Sequence, residues 1–395
     1  MARVLEGIRI LDFSRYGAGP YCAMLLADMG AEVIMVERIG GEDDRTLGPL
    51  APNGQSFRVL DTGRNKKGIT LNLQREKGRQ ILNELVKQSD VVIESFPCGV
   101  AQAIGLGYDS LRKANPAIIL VSISGFGRNG PYSQRVGFDA VAQAMSGAMS
   151  RTGFLGQPPT RAAAPYVDFS TGALAALGAM LALYHRERTG TGQMVDLALM
   201  DTAVSFMANF IAEYKVFGVI HPQIGNSSFY AGPYNTFKLS DGYIFIGVIG
   251  DAVWRRFLKV IGKEELAADP RFQSNSARGE NRHLVDSLVD QWLANRTTEE
   301  ALGLLEKADI PCGPVYDIPQ VVENPQVKAR EMIVDIEYPD GMVIPLSGVP
   351  MKFSETPGEI RTRAPSVGEH NLEVYSELLG YSPEEIDNLR REKII

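Results

Sequence analysis

The sequence contains few of the residues from which disulfide frameworks and metal sites are built. It has 395 residues, including 3 cysteines and 4 histidines. Cys22, Cys98 and Cys312 are odd in number and lack CxxC spacing, so no disulfide framework is indicated and a reducing, cytoplasmic compartment is predicted. The histidines lie far apart and form no HExxH pattern. We therefore expect no metal site and no permanently bound cofactor.

Long apolar runs and an excess of positive charge are also absent. The longest apolar stretch, residues 173–184, has 12 residues, whereas a membrane-spanning helix needs about 20. The first residues, MARVLEGIRILDF, lack the apolar core of a secretory signal. Forty Lys and Arg against 47 Asp and Glu give a formal charge of -7, which argues against a surface built for nucleic acid. We expect neither a nucleic-acid nor a membrane partner, although a local basic pocket could still bind a small anion.

The first third of the sequence alternates between strand-like and helix-like segments. Apolar runs predict strands over residues 8–13, 32–37, 69–73, 90–95 and 117–124, and helical spacing fills most of the gaps between them. Strands separated by crossover helices form a parallel, doubly wound sheet. The predicted fold class is therefore α/β. A long, nearly uncharged helix is predicted over residues 171–188.

Composition changes beyond residue 200 and indicates a second region. A chain of 395 residues has room for two to four domains at roughly 100 to 200 residues each. We predict a large domain over residues 1–200, a linker over 201–232 and a small α+β domain over 233–325. Asp241 and Gly242 are predicted to form the turn of a hairpin in the small domain. Residues 326–395 become strand-like again and end in a short helix.

The loop after the first predicted strand has part of a dinucleotide-binding pattern. Gly17 and Gly19 follow that strand, and Glu37 lies 20 residues beyond Gly17, where the ribose-binding acid of a Rossmann fingerprint would stand. The third glycine position holds Cys22, and Pro20 removes a backbone N–H group. A tight structural turn is the plain alternative. We favour a different ligand at the same place, because doubly wound sheets bind ligands at the carboxyl ends of their strands.

Basic residues near two strands form a second candidate site. Arg38 follows the second predicted strand, and Arg64, Lys66 and Lys67 precede the third. Each group alone is typical of a solvated surface. Together, at adjacent strand ends, they are predicted to bind a phosphorylated ligand.

Asp168 stands immediately before the long apolar helix, in the segment PYVDFSTG. It could simply cap that helix. Ser170 and Thr171 also offer caps, however, which leaves Asp168 available for chemistry. A carboxylate near a helix N-terminus among glycines stays ionised and accessible, as a nucleophile must.

These segments resemble the family III CoA-transferases, the group of formyl-CoA:oxalate and carnitine CoA-transferases, to which the α-methylacyl-CoA racemases are related. The resemblance runs nearly end to end. It is carried above all by residues 7–38, 64–73 (RNKKGITLNL), 90–100 (DVVIESFPCGV), 115–132 (NPAIILVSISGFGRNGPY), 137–147 (GFDAVAQAMSG), 165–172 (PYVDFSTG) and 364–371 (APSVGEHN).

The resemblance implies roles for individual residues. The family's catalytic aspartate falls on Asp168, its phosphate-side arginine on Arg38, and its thioester pocket on residues 135–138. The implied CoA contacts are Gly17, Ala18, Arg38, Leu71, Asn72, Leu73, Gln74, Ser95, Phe96, Pro97, Arg135, Val136, Gly137 and Phe138. It also implies a Rossmann-like large domain built from both chain ends and a homodimer of two interlocked rings.

The sequence departs from the family pattern at three places. A CoA-contacting arginine of formyl-CoA transferase is replaced by Ala103, and the tetraglycine loop of that enzyme is reduced to Gly225 and Asn226. Specificity for formyl or oxalyl groups is therefore disfavoured. The racemases need a histidine within a G-H-D triplet, and Phe138 stands there instead. Phenylalanine cannot transfer a proton, which disfavours racemisation.

We therefore predict an acyl-CoA:carboxylate CoA-transferase that works through aspartyl anhydride and aspartyl-CoA thioester intermediates, with CoA thioesters as substrates rather than bound cofactors. Succinyl-CoA is a candidate donor. Arg15 and Tyr16 flank the first loop and are expected to select the acyl group, Arg15 by binding a second carboxylate or, alternatively, forming only a surface ion pair. A 2-methylacyl-CoA racemase or isomerase, one subunit of a heteromeric transferase and an NAD-dependent enzyme remain alternatives.

Overall fold

A six-stranded parallel sheet organises the larger part of the protein. The computed structural model describes residues 3–395. The strands of the sheet are β1 (Arg9–Asp12), β2 (Glu32–Glu37), β3 (Lys66–Thr70), β4 (Val91–Glu94), β5 (Ile119–Ser124) and β6 (Met194–Ala198). They lie in the order β3-β2-β1-β4-β5-β6, and every neighbouring pair is parallel. This is the strand order of Rossmann-type sheets and confirms the predicted α/β class.

Helices connect and cover the strands. In chain order they are α1 (Ala18–Asp28), α2 (Phe57–Thr62), α3 (Glu76–Lys87), α4 (Cys98–Ala103), α5 (Tyr108–Ala114), α6 (Asp139–Met145), α7 (Ala148–Arg151), α8 (Tyr166–Thr189), α9 (Leu199–Phe206), α10 (Ala208–Phe217), α11 (Asp251–Ile261), α12 (Asn275–Glu280), α13 (Arg282–Leu293), α14 (Thr298–Lys307), α15 (Ile318–Glu323), α16 (Pro325–Ala329), α17 (Asn371–Glu373) and α18 (Pro383–Arg391). Short 3-10 turns lie at Asp43–Thr46 and Glu264–Ala268.

The parallel sheet is buried on both faces. Successive strand residues point to opposite sides, so Ile10 joins one hydrophobic core while Leu11 joins the other. The first core contains residues of α1 and α8, and the second contains residues of α3, α5 and α18. Burial on both faces explains why β2, β4 and β5 read as nearly continuous apolar runs rather than as an alternating pattern.

The C-terminal segment packs on the same sheet as the N-terminal strands. The Tyr375 hydroxyl donates a hydrogen bond to the carbonyl of Thr70 at 2.7 Å, and the N–H of Asn72 donates to the carbonyl of Ile394 at 2.8 Å. Among the described residues, one compact unit accordingly comprises 3–148, 161–218 and 326–395, and the other comprises 149–160 and 219–325. Within the first unit, β10 (Ile333–Glu337) and β11 (Val343–Ser347) form an antiparallel pair.

The second unit contains a three-stranded antiparallel sheet. Its strands are β7 (Tyr234–Lys238), β8 (Tyr243–Gly247) and β9 (Cys312–Pro314). The first two form the predicted hairpin, and the Leu239 N–H donates to the Gly242 carbonyl across its turn. Helices α11, α13 and α14 pack on this sheet around a core that includes Trp254, Phe257 and Val289.

Three predicted boundaries differ from the structure. Helices α9 and α10 occupy the first part of the segment that was predicted as linker, residues 201–232, because their mainly apolar sequence continues to position 217. Strand β3 lies at Lys66–Thr70 rather than at 69–73, since it pairs with β2 from Lys66 onward. Helix α8 begins at Tyr166, so Asp168 lies inside its first turn rather than before it.

Helix α8 is long and apolar enough to cross a membrane when judged by length and composition alone. Its small side chains, including Ala175, Ala179 and Ala182, are buried in the core beside α1. The opposite face carries an exposed apolar row formed by Leu174, Leu177, Leu181 and Tyr184. The buried face is typical of a helix that packs on a globular core, whereas the exposed face is apolar where such a helix usually carries polar residues.

The predicted basic cluster is not assembled, and that prediction was wrong. Arg38 follows the carboxyl end of β2, whereas Arg64, Lys66 and Lys67 lie at the amino end of β3, which is the opposite edge of a parallel sheet. Acidic partners also occupy these three side chains. Arg64 contacts Asp28 at 2.8 Å and Asp61 at 2.7 Å, Lys66 contacts Asp12 at 2.8 Å, and Lys67 contacts Glu32 and Glu373 at 2.8 and 2.7 Å.

Removing a partner of the buried pair formed by Arg64 and Asp28 should destabilise the protein more than removing a partner of an exposed pair. Both side chains are fully buried, so Asp28→Ala leaves a guanidinium without its main partner and should lower the free energy of unfolding by about 3–5 kcal/mol. Lys77 and Glu392 form an exposed pair at 3.0 Å, and Glu392→Ala should cost less than about 1 kcal/mol. Urea unfolding of the full chain, followed by circular dichroism, measures both. Equal losses would contradict the role assigned to the buried pair.

Candidate active site

A cavity of about 270 Å³ opens at the carboxyl edge of the parallel sheet. Its walls come from the loops that follow β1, β4 and β5 and from the first turn of α8. Strands β1 and β4 are neighbours at the point where the strand order reverses, which is where doubly wound sheets bind ligands. The lining residues are Arg15, Tyr16, Gly17, Ala18, Gly19, Ser95, Phe96, Pro97, Ile123, Ser124, Gly125, Ser133, Arg135, Val136, Gly137, Phe138, Asp168 and Leu199.

Most residues that the family resemblance named meet in this cavity. The loop at 15–18, the segment 95–97, the segment 135–138 and Asp168 all line it. Sequence reasoning missed the contribution of β5, including Ser124 and Gly125. The available signal was positional, because the loop after β5 ends at the same sheet edge as those after β1 and β4.

Asp168 is half-buried in the first turn of α8, and its carboxylate accepts no hydrogen bond from residues 3–395. Burial and the nearby negative charge of Asp139 raise its pKa to about 6, an effect that the positive charge of Arg58 partly offsets. The carboxylate is therefore largely ionised at neutral pH and more basic than an ordinary aspartate. An ionised, unpartnered carboxylate of this kind can act as a nucleophile.

Gly17 permits the close approach of the β1 loop to Asp168. A Cβ atom at position 17 would lie 2.3 Å from Oδ2 of Asp168, well inside van der Waals contact. The glycine that suggested a phosphate-binding turn is thus required by the carboxylate. A second close contact joins Gly125 and Gly137, where a Cβ on Gly125 would lie 2.8 Å from Cα of Gly137.

Several hydrogen bonds fix the β1 loop around Gly17. Asp12 accepts hydrogen bonds from the N–H and hydroxyl of Ser14, and the buried ammonium of Lys66 also contacts Asp12. Tyr16 adopts a left-handed backbone conformation with φ of 69°, which is strained for an aromatic residue. Its N–H donates to Asp44 at 2.9 Å, and its ring meets that of Phe138 edge to face at a centroid distance of 5.5 Å.

Arg15 lines the cavity but already has an acidic partner. Its guanidinium contacts the carboxylate of Glu42 at 2.8 Å and lies over the Phe96 ring at 4.6 Å. Its backbone N–H donates to the Ser95 hydroxyl at 2.9 Å. The Glu42 side chain is only 6% exposed, so this is not the surface ion pair considered from the sequence. The pairing weakens the expectation that Arg15 binds a substrate carboxylate.

The remaining predicted contacts lie along the same sheet edge but outside the cavity. Arg38 follows β2, where its guanidinium donates to the Gly41 carbonyl at 2.8 Å and contacts Asp43. Leu71, Asn72, Leu73 and Gln74 follow β3; the two leucines are buried in the core, and Gln74 is exposed. Neighbouring strands are about 4.8 Å apart, so the row from β3 to β4 is long enough for an extended ligand rather than a compact one.

Two cations near the cavity have no acidic partner among residues 3–395. Arg135 lines the cavity and stacks on Tyr132, with its guanidinium carbon 4.0 Å from the ring centroid. Arg58, on α2, is exposed and acts on Asp168 through its charge. Both remain available to an anionic ligand.

Glu37, the acidic residue of the dinucleotide-binding pattern, is not available to bind a ribose. Glu37 is buried and forms two hydrogen bonds of 2.6 Å with the guanidinium of Arg45. A ribose would have to displace this buried ion pair. Among residues 3–395 the structure contains no cluster of potential metal ligands either.

These features define a doubly wound α/β protein with a carboxylate-bearing cavity at the switch point of its sheet. The chain belongs to CoA-transferase family III, which its residues 5–371 match. It is therefore an enzyme of the acyl-CoA:carboxylate CoA-transferase type, as the sequence predicted.

Relatives of established name span the full length of the chain. It is 35% identical over 395 residues to the succinyl-CoA–D-citramalate CoA-transferase of Chloroflexus aurantiacus, covering 100% of this chain and 98% of that protein. It is 36% identical to the formyl-CoA:oxalate CoA-transferase of Streptomyces avermitilis, with complete coverage of both. A crystal structure of a CAIB/BAIF family protein from Brucella suis superimposes with a TM-score of 0.84 at 35% identity, covering 96% of this chain and 100% of that one.

The contact between Gly17 and Asp168 predicts a loss of activity without a loss of fold. Gly17→Ala should displace the carboxylate and lower the rate of CoA transfer by about 10²-fold, the effect of a misplacement of about 1 Å. Gly303→Ala is a matched control, because nothing lies within 4 Å of a Cβ at that helical position. Steady-state assays and thermal melting compare the two. Full activity of Gly17→Ala would show that the carboxylate tolerates displacement.

Proposed function

We propose that this enzyme transfers CoA from an acyl-CoA donor to a carboxylic acid through covalent intermediates on Asp168. The observation that carries the proposal is the position of this carboxylate. It is ionisable near neutral pH, accepts no hydrogen bond from the described residues, and faces a cavity at the switch point of the sheet. Covalent relay conserves the energy of the thioester without ATP.

The reaction balances in four steps. An Asp168 oxygen attacks the donor thioester carbonyl and expels the CoA thiolate, leaving an acyl-aspartyl anhydride. The thiolate then attacks the aspartyl carbonyl and releases the donor carboxylate, which leaves an aspartyl-CoA thioester. The acceptor carboxylate attacks this thioester and again expels the thiolate. The thiolate finally attacks the acyl carbonyl of the new anhydride, which yields the product acyl-CoA and restores the Asp168 carboxylate.

In the proposed complex, the cavity binds the thioester end of the CoA ester and the sheet edge binds the nucleotide end. The thioester end occupies the cavity, where the backbone N–H groups of the glycine-rich loops around Gly17 and Gly137 are candidates to stabilise an oxyanion. The nucleotide end extends along the edge toward Arg38 and the residues after β3. Arg38 would bind a phosphate there by exchanging its contact with the exposed carboxylate of Asp43.

A four-carbon dicarboxylic donor such as succinyl-CoA suits the free charges of the site. The relatives named succinyl-CoA–D-citramalate and succinyl-CoA–L-malate CoA-transferase, both of Chloroflexus aurantiacus, use this donor by name. Since Arg15 is paired with Glu42, the distal carboxylate would be bound by Arg135, which lines the cavity and has no acidic partner among residues 3–395.

Substitution of Arg135 tests this selectivity. Arg135→Ala should raise the KM for succinyl-CoA about 10- to 100-fold, since a hydrogen bond to a charged group contributes about 1.5–3 kcal/mol, and should leave the KM for acetyl-CoA unchanged. Arg112→Ala, which removes an exposed arginine on α5, is the control. Equal changes for both donors would remove Arg135 from the specificity determinants.

The alternatives receive less support from the site. A racemase would need a proton-transfer base where Phe138 lines the cavity, and no histidine lines that cavity. The heteromeric alternative is represented by a relative named as the beta subunit of succinyl-CoA–L-malate CoA-transferase. A single chain that carries its own Asp168 has the residue it needs to act alone.

The proposed assembly is a cytoplasmic homodimer of interlocked chains, as in the resembling family. The exposed apolar row on α8, with Leu174, Leu177, Leu181 and Tyr184, supports a protein partner on that face. Isolated apolar side chains are common on surfaces, but a continuous row along one helix is typical of an interface.

Replacement of Asp168 tests the covalent mechanism. Asp168→Asn keeps the shape of the side chain but removes the nucleophile, and transfer should fall by at least about 10³-fold, as for other covalent enzymes, while CoA-ester affinity is retained. Asp201→Asn on α9 is a control with the same charge change at an exposed position. Steady-state rates and calorimetric binding measure the two effects. Substantial transfer by Asp168→Asn would exclude Asp168 as the nucleophile.

A further inference from the structure

We propose that Asp139 is a positioning residue for the Asp168 nucleophile, anchoring the first turn of α8 and placing a second negative charge beside it. The proposal rests on the proposed function of Asp168. Asp139 begins α6, directly after the cavity residues Gly137 and Phe138. The sequence showed this residue only as the last member of the G-F-D triplet, and its contact with α8 is purely tertiary.

The geometry of the contact is specific. One carboxylate oxygen of Asp139, Oδ2, accepts hydrogen bonds from the backbone N–H of Val167 at 2.8 Å and of Asp168 at 3.1 Å. The other oxygen accepts a hydrogen bond from the amide of Gln143, which is itself buried. Both oxygens are thus engaged, and Asp139 is buried, so it cannot be the group that attacks a substrate.

Asp139 supplies the cap that α8 lacks in its own sequence. The residue before the helix is Pro165, which makes no side-chain cap, and Ser170 and Thr171, which sequence analysis considered as caps, lie inside the helix. Open N–H groups at a helix N-terminus favour a nearby anion and would lower the pKa of a first-turn aspartate. Asp139 occupies two of these groups with a full negative charge, which removes that stabilisation from Asp168.

The consequence for the nucleophile is a compromise between ionisation and basicity. With a pKa of about 6, Asp168 is about nine-tenths ionised at pH 7 and yet more basic than a free aspartate. Reactivity of a given type of group rises with its basicity as long as the reactive form is populated. Together with burial, the charge of Asp139 therefore makes the ionised carboxylate more reactive at neutral pH, and activity should fall as Asp168 is protonated below about pH 6.

Other charged groups around Asp168 do not duplicate this effect. Arg58 on α2 acts in the opposite sense, Arg15 is neutralised by Glu42, and Arg135 lines the cavity wall. Helix α9 contributes Leu199 to the cavity, and its acidic residue Asp201 is exposed. Among residues 3–395, Asp139 is the acidic group that raises the pKa of Asp168.

The test is the pH dependence of kcat/KM for the full-length enzyme. Asp139→Asn retains an oxygen to accept the two backbone N–H groups but removes the charge. The acid limb of its profile should move from about pH 6 to a value about one unit lower, and the plateau rate should fall. Asp139→Ala loses cap and charge together and should lose more activity than Asp139→Asn. The exposed substitution Asp201→Asn should leave the profile in place.

A second variant separates charge from folding. In Asp139→Asn the new amide meets the amide of Gln143, so one hydrogen bond is lost. The double variant Asp139→Asn with Gln143→Glu restores an acceptor there and moves the negative charge one side chain away from Asp168. Its stability should recover, and its acid limb should lie between those of the wild type and the single variant.

The protonation of Asp168 can also be measured without turnover. Carbodiimide modifies protonated carboxyl groups, so its reaction at Asp168 as a function of pH, followed by peptide mass spectrometry, reports the protonation midpoint directly. A lower midpoint in Asp139→Asn supports the proposal. An unchanged midpoint and acid limb in a folded Asp139→Asn enzyme would overturn it, whereas full activity of Asp168→Asn would instead refute the function of Asp168 on which it rests.

Discussion

The close contact between the backbone of Gly17 and the carboxylate of Asp168 is the constraint on which the site depends. It requires that the loop after β1 and the first turn of α8 approach within a distance that no side chain at position 17 would allow. Residues far apart in sequence serve this contact. Asp12 and Lys66 hold the loop from one side, and Asp139 holds the helix from the other. The strand order provides the space for a ligand, because it leaves a crevice between β1 and β4 at the same edge.

Ion pairing determines which charges of the site remain free for a ligand. Arg45 neutralises Glu37, Arg15 neutralises Glu42, and Arg64 neutralises Asp28, and the carboxylate of each pair is buried. Such buried pairs fix geometry more than they add stability. What remains near the cavity is one carboxylate, Asp168, and two unpaired cations, Arg58 and Arg135. This is the charge set that a carboxylate-bearing acyl-CoA would meet.

Local pattern predicted the elements, and the family resemblance predicted the cavity. Strand β2 lies where the apolar run predicted it, because burial on both sheet faces leaves a clear signal in the sequence. Helices α3 and α5 lie in gaps between the predicted strands, where helical spacing was expected. The basic cluster was wrong because β2 and β3 are parallel. Arg64 and Lys66, at the amino end of β3, therefore lie at the sheet edge opposite to Arg38, which follows β2. The linker predicted over residues 201–232 was too long, because its first part forms the short apolar helices α9 and α10. The composition of the segment did not indicate these helices. Asp139 was missed because its partners are backbone N–H groups 28 and 29 residues away, which no side-chain pattern reveals.

Trapping of the covalent intermediate tests the central claim most directly. The enzyme is incubated with an acyl-CoA donor without acceptor, quenched with hydroxylamine or acid, digested, and examined by mass spectrometry over the peptide that contains residues 165–172. The account predicts CoA, or the hydroxamate derived from it, on Asp168, and none on the Asp168→Asn protein. Donor consumption with an unmodified Asp168, or modification of another residue in its place, would contradict it.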